Sequence, residues 1–356
     1  MTDEIVRLEA IEKRYGNVTA LARLDLMVRK GEFLTLLGPS GSGKTTILNI
    51  IAGTIQPSSG QVWIGEREVT KLPSNKRHLG MVFQNYALMP HMTIFENVAF
   101  PLRVRRLSED EISRKVNEVL EIVQLPHVAQ RKPKELSGGQ QQRIAIARCL
   151  VYNPDIILMD EPLGALDKKL REQMQLEIKR LHNTLGVTIL YVTHDQEEAL
   201  VMSDRICLMN AGRIEQLDTP HQLYFNPRSV FAADFLGESN ILEANVDARS
   251  GMVHALDGAI KAEPRQDTTT GPFKLMIRPE NLTLLADNED APCLVQGRLE
   301  DAIFVGGVTN FRVQVADGIV LTAKRLTRPE DLGMTAGRSV RLGWRSTDVL
   351  AVRQPG

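Results

Sequence analysis

The sequence predicts an α/β domain followed by a small all-β domain of barrel type. Three observations predict it. Short, continuously apolar runs at 33–37, 156–159 and 188–193 each lead into a helical pattern, as strands buried on both faces of a sheet do. Beyond about Gly237 the texture changes to short alternating runs separated by turn pairs, the pattern of a small antiparallel fold that must hide its edges. The chain has 356 residues, 43% of them hydrophobic, which suits two domains better than one.

The elements follow in chain order. Phe33-Leu34-Thr35-Leu36-Leu37 is an apolar strand, then come a glycine-rich turn and a helix over 45–52. Residues 107–125 read as helical, with Ile112, Val116, Leu120 and Val123 at three-to-four spacing. Ser137 is a plausible N-cap for a helix over 141–151. The run 156–159 is a second buried strand and 188–193 a third, with Asp195-Gln196-Glu197-Glu198 opening a helix directly after it. Pro227 and Gly237 bracket a short helix over 229–236, the expected exit from the first domain. In the second domain, turns are expected at Asp257-Gly258, Gly306-Gly307 and Asp317-Gly318, and 311–315 alternates cleanly.

Composition excludes several classes. Lys+Arg number 43 and Asp+Glu 44, a net charge of -1, so the chain lacks the basic excess of a nucleic-acid binder. Cys149, Cys207 and Cys293 are scattered and form no CxxC pair. That argues against a disulfide framework or a zinc site and fits a reducing compartment. The first ten residues carry acids and no apolar core, unlike a secretory signal. No apolar run approaches the roughly 18 residues of a membrane span, so a membrane role is expected to come through a partner.

Gly38-Pro39-Ser40-Gly41-Ser42-Gly43-Lys44-Thr45 matches the phosphate-binding spelling G-x-x-x-x-G-K-[ST], between an expected strand and an expected helix. Glycines let backbone N–H groups converge on phosphate oxygens, and the helix N-terminus adds partial positive charge. Lys44 is expected on the β- and γ-phosphates of ATP and the Thr45 hydroxyl on Mg2+, with Thr46 completing the contacting set. Alone, this loop leaves nucleotide hydrolase and kinase both open. The strand over 156–159 ends in Asp160-Glu161. Asp160 is placed to hold Mg2+, directly or through water, and Glu161 to polarise the attacking water as general base. Glu161 is expected to point away from Asp160 because side chains alternate along a strand. A strand ending in a solvated acidic turn would share this spelling.

Leu136-Ser137-Gly138-Gly139-Gln140 decides among these readings. A second glycine-bearing helix start is more than a cap requires, and here the chain closely resembles ABC-transporter ATPases, whose signature is LSGGQ. The resemblance implies an α/β P-loop ATPase domain with a helical signature subdomain over 1–238 and an OB-like (TOBE) domain over 239–356. It implies roles residue by residue. Tyr15 stacks on adenine, Gln84 touches Mg2+ and senses the permease, Asp167 belongs to the loop linking two nucleotide sites, and His194 hydrogen-bonds the γ-phosphate. Two copies would pack head to tail, each ATP on one copy's cradle capped by Ser137, Gly138, Gly139 and Gln140 of the other. The second copy is expected to be identical, a homologous subunit being the alternative. No catalytic position departs from the pattern, and Gly164 stands where many relatives carry serine.

The stretches 137–143 and 164–177 are similar to the spermidine/putrescine importer ATPases, and Ile277-Arg278-Pro279-Glu280 resembles a recurring motif of their C-terminal extension. The implied assembly includes separate transmembrane permease subunits and, indirectly, a solute-binding protein outside the cell. The implied location is the cytoplasmic face of the membrane. Ferric iron, opines, sulfate and sugars are the competing cargoes, since the ATPase never touches the cargo. Residues 86–92 are read as an apolar groove for a permease helix, with burial in the core as the alternative. A ribosome- or DNA-directed ATPase is disfavoured by the single P-loop and neutral charge, and a small-molecule kinase would leave 137–140 and His194 without a task. The second domain shows no catalytic constellation, and a regulatory or dimer-bracing module and a mere spacer both fit.

Overall fold

The computed structural model describes residues 4–246, 252–262, 273–286 and 288–353. Its contacts separate into two compact units, 1–220 and 221–356.

The first unit opens with β1 (Glu4–Tyr15) and β2 (Val18–Arg29), which pair antiparallel, then β3 (Phe33–Leu37) and α1 (Lys44–Ala52). After these come β4 (Ser59–Ile64), β5 (Arg67–Glu68) and β6 (Leu79–Val82). Three helices follow: α2 (Ile94–Val104), α3 (Glu109–Ile122) and α4 (Gly138–Leu150). The unit continues through β7 (Ile156–Asp160), α5 (Lys168–Leu185), β8 (Thr188–Thr193), α6 (Gln196–Met202), β9 (Arg205–Asn210) and β10 (Arg213–Asp218). Two sheets form, β2-β1-β4-β5 and β10-β9-β3-β8-β7-β6.

In the six-stranded sheet, β6, β7, β8, β3 and β9 run parallel. β3 and β8 are buried at every residue, as continuous apolar runs covered on both faces must be. One core, including Leu34, Leu36, Ile47, Ile51 and Val192, joins α1 and the β1–β2 layer to one side of this sheet. The other, including Tyr191, Met159, Ile144 and Val116, joins it to α2, α3, α4 and α5. Asn97 on α2 is fully buried. It anchors the chain ahead of that helix by accepting from Met89 N at 2.7 Å and donating to Met89 O, Met92 O and Thr93 O.

α4 begins at Gly138 rather than at the expected 141. Glycine's low helix propensity is overridden by a capping box, in which Ser137 and Gln140 exchange side-chain-to-backbone hydrogen bonds. The expected helix over 107–125 is α3, with Ser108 as its cap.

In the second unit, α7 (Pro220–Phe225) and α8 (Val230–Phe235) precede β11 (Asn240–Glu243), β12 (Asn245–Val246), β13 (Val253–Ala255) and β14 (Ile260–Ala262). β15 (Phe273–Ile277), β16 (Thr283–Leu285), β17 (Cys293–Val305), β18 (Val308–Ala316), β19 (Ile319–Leu326), β20 (Ser339–Trp344) and β21 (Val349–Arg353) complete it. Three antiparallel sheets, β11-β15-β21, β12-β13-β14 and β16-β20-β17-β18-β19, enclose one core that includes Phe311, Leu275 and Trp344. The turns at 306–307 and 317–318 connect β17 to β18 and β18 to β19. On β18, Phe311 and Val313 are buried while Arg312 and Gln314 are exposed.

The division at 220 lies ahead of the boundary at 238 that the texture change suggests. The reason is packing: Ala233 of α8 is buried with Met276 and Val352. Arg278, only 3% exposed, donates from Nη1 to Ala233 O and Gly237 O at 2.9 Å and from Nη2 to Tyr224 O at 3.1 Å. Ile277-Arg278-Pro279-Glu280 thus ties the two short helices to the β strands.

Candidate nucleotide site

Four segments converge because four parallel strands end side by side. Leu37 of β3 pairs with Thr193 of β8, Asp160 of β7 with Val192 of β8, and Val82 of β6 with Met159 of β7. The loops leaving these carboxyl ends carry 38–43, Gln84, Glu161 and His194, at the edge where open α/β sheets hold ligands.

The loop between β3 and α1 is shaped for close approach. Gly43 is the N-cap of α1 at φ 99°, with no side-chain cap on the helix. A Cβ there would meet Leu21 Cδ2 at 2.5 Å, and one on Gly38 would meet Met209 O at 2.3 Å. The first N–H groups of α1 therefore have no side chain to satisfy them. Ser42 is buried and its Oγ has no hydrogen-bond partner among the described residues, an orphan acceptor and donor inside the cradle. Ser40 and Gly41 are exposed at the rim, and Thr46 is half-buried.

Lys44 is buried, and its Nζ donates to Gly38 O at 2.8 Å and Pro39 O at 2.9 Å. Burial pulls its ammonium below the ordinary lysine value, against the opposing charges of Glu161 and Asp160. The Thr45 hydroxyl donates to Asp160 Oδ1 at 3.2 Å. Burial pushes the Asp160 carboxyl up, the Thr45 bond and Lys44 opposing and Glu161 assisting. A hydroxyl and a carboxylate in contact are the hard oxygen donors that a small divalent cation takes.

Glu161 corrects one expectation. β7 stops at Asp160, and Glu161 sits past it in the left-handed region at φ 44°. Its N–H donates to Val192 O at 3.0 Å. The turn of the backbone, not strand alternation, separates the two carboxylates. Glu161 Oε1 lies 3.3 Å from His194 Nδ1, so the acid and the histidine of two neighbouring strands face each other. Gln84 is exposed, its Nε2 3.9 Å from where a Cβ on Gly164 would stand. A larger residue at 164 would therefore approach that amide. Tyr15 ends β1, 48% exposed, with Lys13 Nζ 4.8 Å from its ring centre.

The 137–140 segment is not joined to the cradle by any hydrogen bond among the described residues. Its neighbours are in the loop after β7 and the first turn of α5: a Cβ on Gly138 would meet Leu166 Cδ2 at 2.9 Å, and one on Gly139 Leu170 Cδ1 at 3.0 Å. Ser137 itself is exposed. Asp167 caps α5, accepting from Leu170 N at 3.0 Å. The expected residues therefore fall into two groups within one chain, the cradle group around Lys44, Asp160, Glu161 and His194, and the group around Ser137 and Asp167.

Residues 21–164 match the ABC transporter family, and residues 275–352 match the TOBE domain. The chain is 43% identical to a spermidine/putrescine import ATP-binding protein of Nitratidesulfovibrio vulgaris, over 96% of this chain and 95% of that one. The chain belongs to the ABC-transporter ATPase family. A second ABC relative, the spermidine/putrescine import ATP-binding protein of Thermobifida fusca, is 45% identical over 96% of this chain and 91% of its own length. Among solved ABC cassettes, a dimeric post-hydrolysis state bound to ADP and Pi is similar with a TM-score of 0.54 and 37% identity. It covers 61% of this chain and 99% of that one. This ABC ATPase binds ATP, and none of its described helices is long and apolar enough to cross a membrane.

Sequence reasoning missed two arginines. Arg148 at the end of α4 donates to Ala87 O at 2.6 Å and Tyr86 O at 2.8 Å, holding two successive left-handed residues, φ 59° and 47°, just past Gln84. Arg171 on α5 donates to Asp195 Oδ2 and Leu166 O. No local spacing signals either contact. The 86–92 segment divides. Tyr86 enters the core, whereas Ala87 and Met89 line a groove of about 690 Å3 with Phe83, Phe100 and Val104.

Proposed function

We propose that this chain is the ATP-hydrolysing subunit of an importer for spermidine and putrescine. The observation that carries the cargo is the near full-length similarity to polyamine import ATP-binding proteins from separate bacteria. In this reading Lys44 and the N–H groups at 38–46 hold the β- and γ-phosphates, and Tyr15 stacks on adenine. Thr45, Asp160 and Gln84 would hold Mg2+, whose charge offsets that of the phosphate oxygens when it is bound. Glu161 accepts the proton of the attacking water as its oxygen bonds to the γ-phosphorus and the bond to the bridging oxygen breaks, leaving ADP and phosphate. His194, held against Glu161, takes the γ-phosphate side.

Ser137, Gly138, Gly139 and Gln140 complete the site on a second copy of the chain, and Asp167 reaches across with them. Two ATP molecules then bind the closed dimer in preference to the open one, so binding closes it and hydrolysis releases it. The groove beside Phe83 and Phe100 receives a helix of a membrane permease, which sets the chain on the cytoplasmic face of the membrane.

The test is uptake of labelled putrescine and spermidine by cells carrying this chain or its Glu161→Gln form. Collapse of uptake in the variant, with ATP-bound dimers accumulating, is expected. Unchanged polyamine uptake removes the cargo and leaves the ATPase. Near wild-type ATP hydrolysis by the variant removes Glu161 from the base role.

A further inference from the structure

The guanidinium of Arg171 joins a segment five residues before it to one 24 residues after it. Its Nη2 donates to Leu166 O at 3.1 Å, one residue before Asp167, and its Nη1 donates to Asp195 Oδ2 at 3.0 Å, one residue after His194. The main chain adds a third tie, from Arg171 N to Asp167 O at 2.9 Å. The Asp195 segment is otherwise anchored. Asp195 Oδ1 caps α6 through Glu197 N and Glu198 N. Glu198, 2% exposed, accepts from the Tyr191 hydroxyl at 2.7 Å and lies 3.9 Å from Arg171 Nε. The arginine therefore lies between a buried acid–phenol pair and the loop that carries Leu166.

We propose that Arg171 is a positioning residue that locks the His194 segment to the Asp167 loop, so that seating of His194 at one nucleotide sets the loop that reaches the other. This rests on the two-site reading above. The physical reason is the fork. A guanidinium presents donors in one rigid plane and holds two acceptors at a defined separation, whereas a lysine ammonium on a flexible stem satisfies one and releases the other. Neither segment can shift alone without breaking a charge-assisted hydrogen bond.

The test uses the full chain with three variants: Arg171→Met, which keeps side-chain length, Arg171→Lys, which keeps the charge, and Asp195→Asn, which keeps the helix cap. Phosphate release gives kcat and KM, and a fluorescent ATP analogue gives affinity. Arg171→Met is expected to lower kcat about tenfold, with KM and analogue affinity within about twofold of wild type. Arg171→Lys is expected to recover less than about threefold of that loss. In the Asp195→Asn background, Arg171→Met should cost less than about threefold more, because both changes break one link.

A kcat within about twofold of wild type in either arginine variant overturns the proposal, as does a multiplicative double mutant. If Arg171→Met does not fold, the lysine variant carries the decision by the same criterion. Lys44→Ala is assayed in parallel: hydrolysis that survives it points to failure of the nucleotide-site reading instead.

Discussion

Two helices of the first unit start beside glycines, and their N-termini are capped differently. α1 starts after Gly43 with no side-chain cap, beside a buried lysine and a buried serine hydroxyl that has no hydrogen-bond partner among the described residues. α4 starts after Ser137 with a reciprocal cap, Ser137 N to Gln140 Oε1 at 3.0 Å and Gln140 N to Ser137 Oγ at 3.4 Å. A glycine-bearing helix start is thus left uncapped in one place and closed by its own residues in the other. The first has its cation, its acids and its histidine within one chain. The second carries no basic side chain among Ser137, Gly138, Gly139 and Gln140, and its cap engages the Ser137 and Gln140 N–H groups. On the proposed reading these are a complete site and a half-site written in similar letters, and their capping states differ.

Substitutions on the two helix starts should break or sharpen that contrast. The largest effect is expected at the complete site. Lys44→Ala removes a charge-assisted contact worth about 2 kcal/mol, so affinity for a fluorescent ATP analogue should fall about 30-fold. Unchanged affinity would contradict the cradle assignment. At the half-site, Ser137→Ala should leave analogue affinity of the single chain within about twofold while lowering kcat about tenfold through lost dimer contacts. It should also cost about 1 kcal/mol of stability in denaturant titration, the ordinary value of a lost cap. An affinity loss as large as that of Lys44→Ala would mean that the two sites are not separable.

The smallest effect concerns Asp160. Burial raises its pKa, so the folded chain holds the proton more tightly than the unfolded chain does. The stability this contributes is full below the ordinary value of 3.8 and is lost as pH rises through the raised one. At neutral pH the ionised carboxylate is therefore a cost in the nucleotide-free fold. Asp160→Asn should raise the nucleotide-free melting temperature by about 2 °C at pH 7, with the difference closing as pH approaches 3.8. The same variant should lose the further rise that Mg2+ and ATP confer. A lower melting temperature at pH 7 would show that Asp160 is held by its contacts more than it is penalised by burial.

Much of this was legible because it is local. The apolar runs at 33–37 and 188–193 became β3 and β8 without adjustment. Ser137 caps the helix it precedes. The glycines at 38 and 43 fall where any side chain would collide. Where a neighbour distant in sequence decides, local spacing carries no signal. Glu161 leaves the strand in a left-handed turn because its N–H is claimed by Val192 O. The unit boundary moves to 220 because Arg278, far along the chain, collects the carbonyls of α7 and α8. Arg148 and Arg171 look like ordinary surface cations of helices until their partners on other segments are in place.

By itself the sequence determined the strand and helix types, the phosphate-binding loop, the signature segment and the family, since each depends on residues within a few positions of one another. The tertiary structure alone decided that β3, β6, β7 and β8 end side by side, bringing His194 within 3.3 Å of Glu161 and Thr45 within 3.2 Å of Asp160. Strand order in a parallel sheet is set by which buried faces pack together, and no spacing along the chain encodes it.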